Sequence, residues 1–526
     1  MESVDEPGME TVDVSTEEDT NRPELSRAQA NGLYLSHIFS TWNARGYEFA
    51  AVLFTAAAYP DTLVAAALRM IIIYFAMIMF SPSVGQWVQH SPSRLKTLMS
   101  TIVCNRGSVI IGSFFWLLIL SQENLIPNDT TLGKAPVFTL PQNDALKGIT
   151  FAIAVTFGII ERLSASGNLI SMERDWVVTA AAPTGHRYDL TNMNALLSPI
   201  LISIVISATG SVRIGVLYTG LTSLVSIPIE LLSAKRVWSS CAVLQAPKPS
   251  YFRGLDSYFR TEVWIPSVAL ALLHFNVLTW RATFITYLIS IGYSLNVITI
   301  ARAAGSIFEI SSTIITPRGI VYFGKHSRRA TLLSEDVLDE SGVSLLRDTE
   351  EVRGSDKQID DAQTIVGLQR LGLWGMSAQL INTIPVVLAL WAISKNNEDQ
   401  NTPESITTSA SNLSIGWSLI LFSFLAVSRL GVWIFDLTTQ QLSQTLVAPS
   451  ERSTFAGVEN SVVNVFEVLG AGAAVIFPHP EQFRWLALAS LIGVTISWAM
   501  YCFWVRSQRG HLLHWDRLPK VKGWNG

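Results

Sequence analysis

Long apolar runs dominate this chain and limit what it can fold into. The stretch from Leu63 to Trp87 is almost unbroken, and about eleven more of similar length occur before and after it. A run of roughly 20 apolar residues spans the hydrocarbon core of a bilayer as a helix. Because lipid offers the backbone no hydrogen-bond partner, such runs must be helical there. The sequence therefore predicts an all-α membrane protein whose function concerns something that crosses or enters the bilayer.

The composition supports this class and excludes others. Charged residues make up 15% of the chain, against about 25% in soluble domains. A net charge of −4 is too small to indicate a nucleic-acid partner. The sequence has no Walker A loop, HExxH or GxSxG motif, so we expect neither an enzyme nor a bound cofactor. The scattered Cys104, Cys241 and Cys502 are expected to be free thiols rather than zinc ligands.

Twelve apolar runs are long enough to be spans. We place them at roughly 33–58, 62–88, 95–121, 148–173, 190–209, 212–234, 263–290, 293–317, 364–394, 411–435, 453–477 and 485–505. The tenth span is followed by polar residues of helical character. We expect its helix to continue past the bilayer toward Gln444.

The Lys and Arg residues of the short loops indicate the orientation. One side of the membrane receives Arg94, Lys96, Arg174, Arg187, Lys235, Arg236, Lys248, Arg253, Arg260, Arg318, Lys325, Arg328, Arg329 and Arg452. The other side receives Lys134, Lys147, Arg213, Lys395 and Arg484. The richer side is the cytosolic one by the positive-inside rule, so both termini are expected in the cytosol. Two locations remain as alternatives: the plasma membrane, and a vacuolar or other internal membrane.

The spans divide into two groups of six, the usual plan of a rocker-type transporter. The predicted parts are a disordered cytosolic tail (1–32), a first six-helix bundle (33–234), a basic cytosolic linker (235–262), a second bundle (263–505) and a cytosolic tail (506–526). Within the second bundle, residues 325–363 are rich in Asp, Glu, Ser and Arg, and we expect a mobile cytosolic loop there.

Several charged residues lie inside the predicted spans, where each costs several kcal/mol unless it is paired or solvated by a cavity. They are Arg45, Glu48, Arg281, Arg302, Glu309, Arg429, Asp436 and Glu467. On the eleventh span, Asn460, Asn464 and Glu467 recur at spacings of four and three and share one helical face. Two interpretations stay open: the set lines a substrate path, or it forms structural ion pairs. The lone imidazole of His274 is interpreted as a packing residue.

Several strings resemble the ferroportin family, the iron-exporting solute carriers of the major facilitator fold. They are Leu35-Ser36-His37, Ser40-Thr41-Trp42, Met172-Glu173-Arg174-Asp175-Trp176-Val177, Asn192-Met193-Asn194-Ala195, Ser428-Arg429-Leu430-Gly431-Val432-Trp433, Ser450-Glu451-Arg452, Gly457-Val458-Glu459-Asn460-Ser461 and Pro478-His479-Pro480-Glu481. Their order and spacing follow the family over nearly the whole transmembrane region. The resemblance implies a major facilitator-like fold that works by alternating access.

The resemblance also implies a cytosolic gate. Asp175 lies at the end of the fourth span and Arg452 at the start of the eleventh, where the family brings these two ends together. A charge-assisted bond between them would favour the state that is open to the outside. The loop that contains Arg94 resembles the facilitator loop that locks the two bundles, although Gln89 stands where that loop usually has Asp.

The metal ligands that the resemblance implies are mostly replaced. The family's Asp and His of the first span correspond to Ala44 and Glu48, its Asp-Cys pair of the seventh span to Arg281 and Ala282, and its His of the eleventh span to Gly470. The remaining oxygen donors are Glu48, Glu467, Asn194 and Asn464. Such a site would take hard divalent cations more naturally than iron.

Three functions follow as hypotheses. The first is a monomeric carrier, embedded in lipid, that exports ferrous iron or a related divalent metal, with the pairs Glu309–Arg302 and Asp436–Arg429 as structural support. The second is a facilitator-fold carrier of an organic anion or a metal chelate, which Arg45 and Arg281 would bind. The third is a receptor-like homologue that binds a ligand without transporting it.

Overall fold

The computed structural model describes residues 27–59, 64–121, 144–181, 211–246, 256–280, 282–335, 349–400, 415–477 and 479–509. In these ranges the chain is helical and contains no strand. The long helices are α1 (Arg27–Ala58), α2 (Val64–His90), α3 (Arg94–Ser121), α4 (Asp144–Leu169), α5 (Val212–Ser240), α6 (Trp264–Leu272), α7 (Ala282–Ser290), α8 (Leu295–Glu335), α9 (Thr349–Gln400), α10 (Ile415–Leu446), α11 (Arg452–Ile476) and α12 (Phe483–Arg509).

The helices have the length and apolar surface of membrane spans. Eight helices in the described ranges are long and apolar enough to cross a bilayer. Many large apolar side chains on them point outward, among them Phe75, Leu221 and Ile476. Outward apolar surface on this scale is expected where lipid is the solvent. Eleven of the twelve predicted spans fall largely on described residues, and each except the seventh is mainly one helix there, whereas the fifth, 190–209, lies outside them.

The seventh predicted span is broken rather than continuous. Its first half is α6, which passes through a 3-10 turn (Leu273–Phe275) into non-helical residues 276–280, and α7 begins at Ala282. The freed backbone N–H groups are satisfied by side chains: Leu278 N donates to Asn276 Oδ1 at 2.9 Å, and Val277 N donates to Ser490 Oγ at 2.9 Å. A break at membrane depth is tolerated only where such partners or a polar cavity replace the missing helical bonds.

Within the N-terminal half, α3 packs on α4 and α5, α1 packs on α5, and α2 packs on α4. A buried ion pair ties α3 to α5, since Arg106 donates Nε and Nη2 to Glu230 Oε1 at 3.1 and 2.8 Å. Asn43 of α1 donates Nδ2 to Ser226 Oγ of α5 at 3.1 Å. These polar contacts are internal to the half and hold three of its helices in register.

Within the C-terminal half, α9 packs on α10 and α12, α8 packs on α9 and α10, and α6 packs on α12. The two halves meet chiefly where α2 lies along α11. The predicted fold class, an all-α membrane protein with two major facilitator-like bundles, is confirmed.

Several predicted loop boundaries need correction. Residues 325–363 are not one loop, because α8 continues to Glu335 and α9 already begins at Thr349. Likewise α1 begins at Arg27, before the predicted end of the tail at residue 32, and α12 continues to Arg509. Polar helix-forming residues prolong a span past the apolar core, so hydropathy marks the membrane better than it marks the helix ends. The predicted extension of α10 toward Gln444 is confirmed, since that helix ends at Leu446.

Candidate functional site

The interface between the halves is tightest where α2 ends and α11 begins, a region that we call the closed end. There α2 and α11 cross at Gly85 and Gly457. A Cβ atom at Gly85 would lie 2.5 Å from Ser453 O, and one at Gly457 would lie 2.8 Å from Ser81 O. Real Cβ atoms do not approach backbone so closely, so glycine at both positions lets the two backbones touch.

An ion pair joins the halves beside this crossing. The last turns of α4 are a π-helical segment, Ile170–Trp176, which carries Arg174 toward the C-terminal half. Arg174 Nη2 donates to Glu459 Oε2 of α11 at 2.9 Å, and its Nη1 donates to Ser443 Oγ and, at 3.2 Å, to Gln440 O of α10. π-helical turns occur frequently at functional sites. Here the wider turn places one guanidinium against two helices of the opposite half.

The carboxylate of Glu459 is held from its own half as well. Its Oε1 accepts a hydrogen bond from Ser267 Oγ at 2.9 Å, and Ser267 in turn accepts one from the buried Tyr258 hydroxyl at 2.8 Å. Burial raises the pKa of Tyr258, and the nearby Glu459 charge raises it further. The phenol therefore remains a hydrogen-bond donor at physiological pH and keeps Ser267 aimed at Glu459.

Amide side chains complete the closed end. Gln89 donates Nε2 to Pro449 O at 3.4 Å and accepts from Ser453 N at 3.2 Å. Gln444 donates to Glu173 O at 3.3 Å. Gln89, which replaces the usual Asp of the facilitator loop, thus caps the first turn of α11 with a neutral oxygen and also donates across the interface.

The predicted gate bond between Asp175 and Arg452 takes a different form. Asp175 Oδ1 accepts from Arg94 Nε at 2.8 Å, and Arg94 also donates to Ala246 O at 2.6 Å; both of these bonds lie within the N-terminal half. Arg452 lies within electrostatic reach of Asp175, but its Nε donates to Val447 O at 3.0 Å. The predicted direct bond between Asp175 and Arg452 is therefore wrong. The carboxylate turns toward Arg94, and the neighbouring Arg174 makes the ion pair between the halves in the described chain.

Charged groups also meet farther along the interface, in a region that we call the middle site. On the N-terminal side, Glu48 of α1 accepts hydrogen bonds on Oε2 from Arg162 Nη1 of α4 at 2.9 Å and from Arg45 Nη1 at 3.2 Å. These side chains are partly accessible: 38% for Glu48, 26% for Arg162 and 47% for Arg45. Ions that keep this much accessible surface inside a span indicate a water-filled space rather than a sealed core.

The C-terminal side of the middle site is at the break of the seventh span. His274 Nδ1 lies 3.1 Å from Glu467 Oε1 of α11, with 38% of the imidazole accessible and the carboxylate buried. One turn before Glu467, Asn464 has a buried Oδ1 that accepts no hydrogen bond from the described residues. Asp436 of α10 is within electrostatic reach of His274 and accepts from Gln440 Nε2 at 3.3 Å. An imidazole, a carboxylate and an unsatisfied amide oxygen therefore occur together.

The two sides of the middle site act on each other electrostatically. The charge of Glu467 contributes to the field at both Glu48 and Arg162. Two of the predicted ligands, Glu48 and Glu467, are thus brought to one region, and Asn464 accompanies them. Asn194 and Arg281, also predicted at this site, lie outside the described residues.

The predicted supporting pairs, Glu309–Arg302 and Asp436–Arg429, are wrong because the residues have other partners. Glu309 Oε1 accepts from Arg429 Nε at 2.7 Å, so Arg429 pairs with Glu309 and not with Asp436. Arg302 contributes to the field of this pair, but it lies two turns from Glu309 on α8. Seven residues of helix separate their Cα atoms by about 10 Å along the axis, whereas a neighbouring helix brings Arg429 closer.

Sequence reasoning missed three residues of the candidate site. Arg162 lies in the fourth span beside Glu161, and this charged dipeptide inside an apolar run was an available signal. His274 was interpreted as a packing residue, although Asn276, Thr279 and Trp280 follow it in the same span. Arg174 was assigned only to a basic loop and to a motif of the family. No sequence signal pairs it with Glu459, since the two are far apart along the chain.

The number of protein ligands is small for a resident metal. In the described part of the chain, no three His, Cys, Asp or Glu side chains cluster closely enough to hold a metal ion. His274, Glu467 and Asn464 Oδ1 offer one nitrogen and two kinds of oxygen. A cation bound there would keep several of its water ligands, which suits transient binding better than permanent coordination.

Comparison with known proteins identifies relatives of the whole chain. Solute carrier family 40 member 1 of Oryza sativa is 27% identical over 530 residues and spans 93% of both proteins. Human ferroportin is 23% identical, over 91% of this chain and 92% of that protein.

Solved structures show the same fold. A bacterial homologue of the iron transporter ferroportin in an outward-facing state covers 92% of this chain at 16% identity, with a TM-score of 0.65. The inward-facing state of a bacterial homologue covers the same share at 16% identity, with a TM-score of 0.55. The sequence model of the Ferroportin1 family matches residues 27–251, 250–323 and 360–494. The chain belongs to the ferroportin family.

Proposed function

We propose that this protein exports ferrous iron or a related divalent metal ion by alternating access. One observation carries the proposal. In the described residues, hydrogen bonds and an ion pair join the two halves from the middle of α2 and α11 to the closed end. The charged groups of the middle site lie beyond these contacts and stay accessible. An interface that is shut at one end and wet in its middle has the form expected of one state of a carrier.

The orientation follows from the basic loops. The closed end carries Arg94, Arg174 and Arg452, which the positive-inside rule assigns to the cytosol. The structure then corresponds to a state with its cytosolic side shut. In the opposite state, Arg174 and Glu459 must separate and the crossing at Gly85 and Gly457 must open.

The metal is proposed to bind on the C-terminal side of the middle site. Fe²⁺ accepts imidazole and carboxylate ligands, and His274 with Glu467 supplies one of each. Asn464 Oδ1 is a third oxygen donor, to which no described residue donates a hydrogen bond. The position differs from the family pattern, in which the seventh span gives carboxylate and thiolate and the eleventh gives imidazole. Here the seventh span gives the imidazole and the eleventh the carboxylate.

The protein is proposed to act in a membrane, with the metal as its transported substrate and without a bound cofactor. We propose that both termini are cytosolic and that the carrier acts as a monomer in the lipid of the plasma membrane or an internal membrane. The division of the spans into two bundles, predicted at 33–234 and 263–505, belongs to the same proposal.

The direct test is metal flux in liposomes that contain the purified protein. Fe²⁺, Mn²⁺ and Co²⁺ should cross faster than in empty liposomes, and Glu467→Gln should slow them by about tenfold because a charged ligand is lost. Glu481→Gln is the matched control, since this exposed carboxylate lies outside the site. Equal flux in protein-containing and empty liposomes would refute the proposal.

A second candidate rests on the cations of the N-terminal side. Arg45 and Arg162 form a pair of guanidinium groups that suits a carboxylate-bearing solute or a metal chelate. It is favoured if an anionic solute crosses, the bare metals do not, and Arg45→Gln abolishes that flux. Saturable binding without flux of either kind would indicate the receptor-like homologue instead.

A further inference from the structure

Asn460 of α11 contacts two helices of the opposite half with one amide group. Its Nδ2 donates to Ser81 Oγ of α2 at 2.8 Å and to Ser166 Oγ of α4 at 2.7 Å. A side-chain amide has two N–H groups, and the two serines accept both. The amide oxygen of Asn460 therefore turns back toward α11 while the halves meet here.

That oxygen contacts a second amide, one turn farther along the helix. Asn464 Nδ2 donates to Asn460 Oδ1 at 3.3 Å and to the main-chain Asn460 O at 2.6 Å. Because two oxygen atoms lie on this side, the Asn464 amide directs its nitrogen there and its own Oδ1 away from Asn460. This Oδ1 is buried, and no described residue donates a hydrogen bond to it. Asn464 thus presents an oxygen, the kind of atom that binds a cation, rather than an N–H group.

Asn464 lies beside the other proposed metal ligands. It is three residues from Glu467, so the two side chains are neighbours on one face of α11. Glu467 Oε1 in turn lies 3.1 Å from His274 Nδ1. All three residues belong to the C-terminal half. A metal bound by them can act on the N-terminal half through the hydrogen bonds that run from Asn464 to Asn460 and then to the two serines.

The two hydrogen bonds of Asn464 depend on different parts of the structure. The bond to the main-chain Asn460 O lies within one helix and survives when the halves separate. The bond to Asn460 Oδ1 needs a side-chain orientation that the two serines of the other half hold. When the halves separate, that side chain can rotate, and Asn464 loses one of the two acceptors that fix its amide.

We propose that Asn460 is a positioning residue that links metal binding to closure of the interface between the halves. The inference rests on the proposed function. In the shut state, Asn460 holds the Asn464 amide with its oxygen available to the metal. A metal on that oxygen favours the same orientation of Asn464, and hence the contact of Asn460 with the serines. Because such coupling is reciprocal, the metal binds the shut state more tightly and itself promotes closure.

The test measures closure with and without metal, using the purified full-length protein in lipid nanodiscs. The parent protein carries Gln444→Cys at the closed end, has its three native cysteines replaced by Ser, and is labelled with a water-soluble thiol reagent. Mn²⁺ should slow labelling of the parent by about threefold, the factor expected for one hydrogen bond. Asn460→Ala should bring this factor close to one.

Ser461→Ala is the matched control. Its hydroxyl donates to Ile78 O across the same interface at 2.7 Å, but it is not part of the amide chain, so this variant should keep the factor of the parent. Ser81→Ala combined with Ser166→Ala leaves α11 unchanged and should bring the factor close to one, as Asn460→Ala does.

Calorimetry with Mn²⁺ shows whether Asn460 acts through Asn464. Asn460→Ala should weaken binding by about threefold in the parent and should have no further effect in an Asn464→Ala background, whereas a merely structural role would weaken both alike.

The inference is overturned if Mn²⁺ binds to the parent without slowing its labelling, or if either Asn460→Ala or the double serine variant keeps the factor of the parent. Loss of the factor in Ser461→Ala, or equal weakening of binding in both backgrounds, would also overturn it. A parent that binds no Mn²⁺, Fe²⁺ or Co²⁺ would instead overturn the proposed function.

Discussion

The closed end and the middle site share helix α11 yet are built on opposite principles. At the closed end, glycines bring α2 and α11 into backbone contact, and Arg174 and Glu459 are almost fully buried. In the middle site, Glu48 and His274 keep more than a third of their surface accessible, and no described ion pair joins the halves there. One helix, α11, supplies Glu459 to the first region and Glu467 to the second.

The difference separates two tasks that one interface must perform. Contacts that hold the halves together have to be strong enough to favour one state and weak enough to break. Groups that bind the metal have to stay accessible to water and keep some of their hydrogen-bonding capacity unused. We therefore expect changes at the closed end to alter which state is populated, and changes in the middle site to alter binding.

The largest effect is expected from Gly457→Val at the closed end. Its Cβ would lie 2.8 Å from Ser81 O and 2.9 Å from Gly85 Cα, so the halves could not close. Overpacking of this kind should disfavour the shut state by about tenfold or more and reduce flux to near background. Gly472→Val on the same helix is the control, because a Cβ there meets nothing within 4 Å. Normal flux in Gly457→Val would show that the crossing need not close.

The two glutamates of α11 give the sharpest contrast. Glu459→Gln removes a charge-assisted bond to Arg174 and should shift the equilibrium about fivefold toward opening of the closed end. The shift is measured as faster labelling of Gln444→Cys by a membrane-impermeant thiol reagent, with Cys104, Cys241 and Cys502 replaced by Ser.

Glu467→Gln should leave that labelling rate unchanged and weaken metal binding instead. The two tasks would not be separate if both substitutions changed labelling to the same degree. Metal binding is measured by calorimetry on the same pair of variants.

A smaller effect is expected for His274→Ala. Loss of the imidazole should weaken metal binding by about threefold, or roughly 0.7 kcal/mol, without changing access at the closed end. His479→Ala, on an exposed turn, serves as the control. Unchanged affinity in His274→Ala would remove the break of the seventh span from the proposed site.

The smallest effect is expected for Asp256→Asn. Its partner Arg260 is one helical turn away, and the two side chains are 72% and 78% accessible. Exposed pairs of this kind contribute about 0.5 kcal/mol or less. Flux and thermal stability should match the wild type, and a large loss would mean that the segment does more than link the halves.

The fold was largely predictable because lipid imposes a simple rule. Each long apolar run becomes a helix, and basic loops suggest its direction. The rule fails where side chains take the place of the hydrogen bonds that the backbone would make in a helix. The seventh span is apolar enough overall to predict one continuous helix, but Asn276 and Ser490 replace helical bonds and allow the break. Whether such partners exist depends on α12, which lies about two hundred residues later in the sequence.

The site was predictable only in part. Spacing alone indicated that Asn464 and Glu467 share a face of α11, and resemblance indicated Glu48. The partners of these residues come from other helices: Arg162 holds Glu48, and His274 lies beside Glu467. Pairing across helices depends on packing geometry, which is why Arg429 proved to be the partner of Glu309 rather than of Asp436.

Cross-linking of the closed end tests the proposed alternation most directly. Asn460 Nδ2 donates to Ser81 Oγ at 2.8 Å across the interface, so Ser81→Cys combined with Asn460→Cys, in a background without other cysteines, should form a disulfide. Oxidation should stop Fe²⁺ flux in liposomes, and reduction should restore it. Flux that continues at the full rate with the disulfide intact would mean that metal crosses without the halves separating at this end.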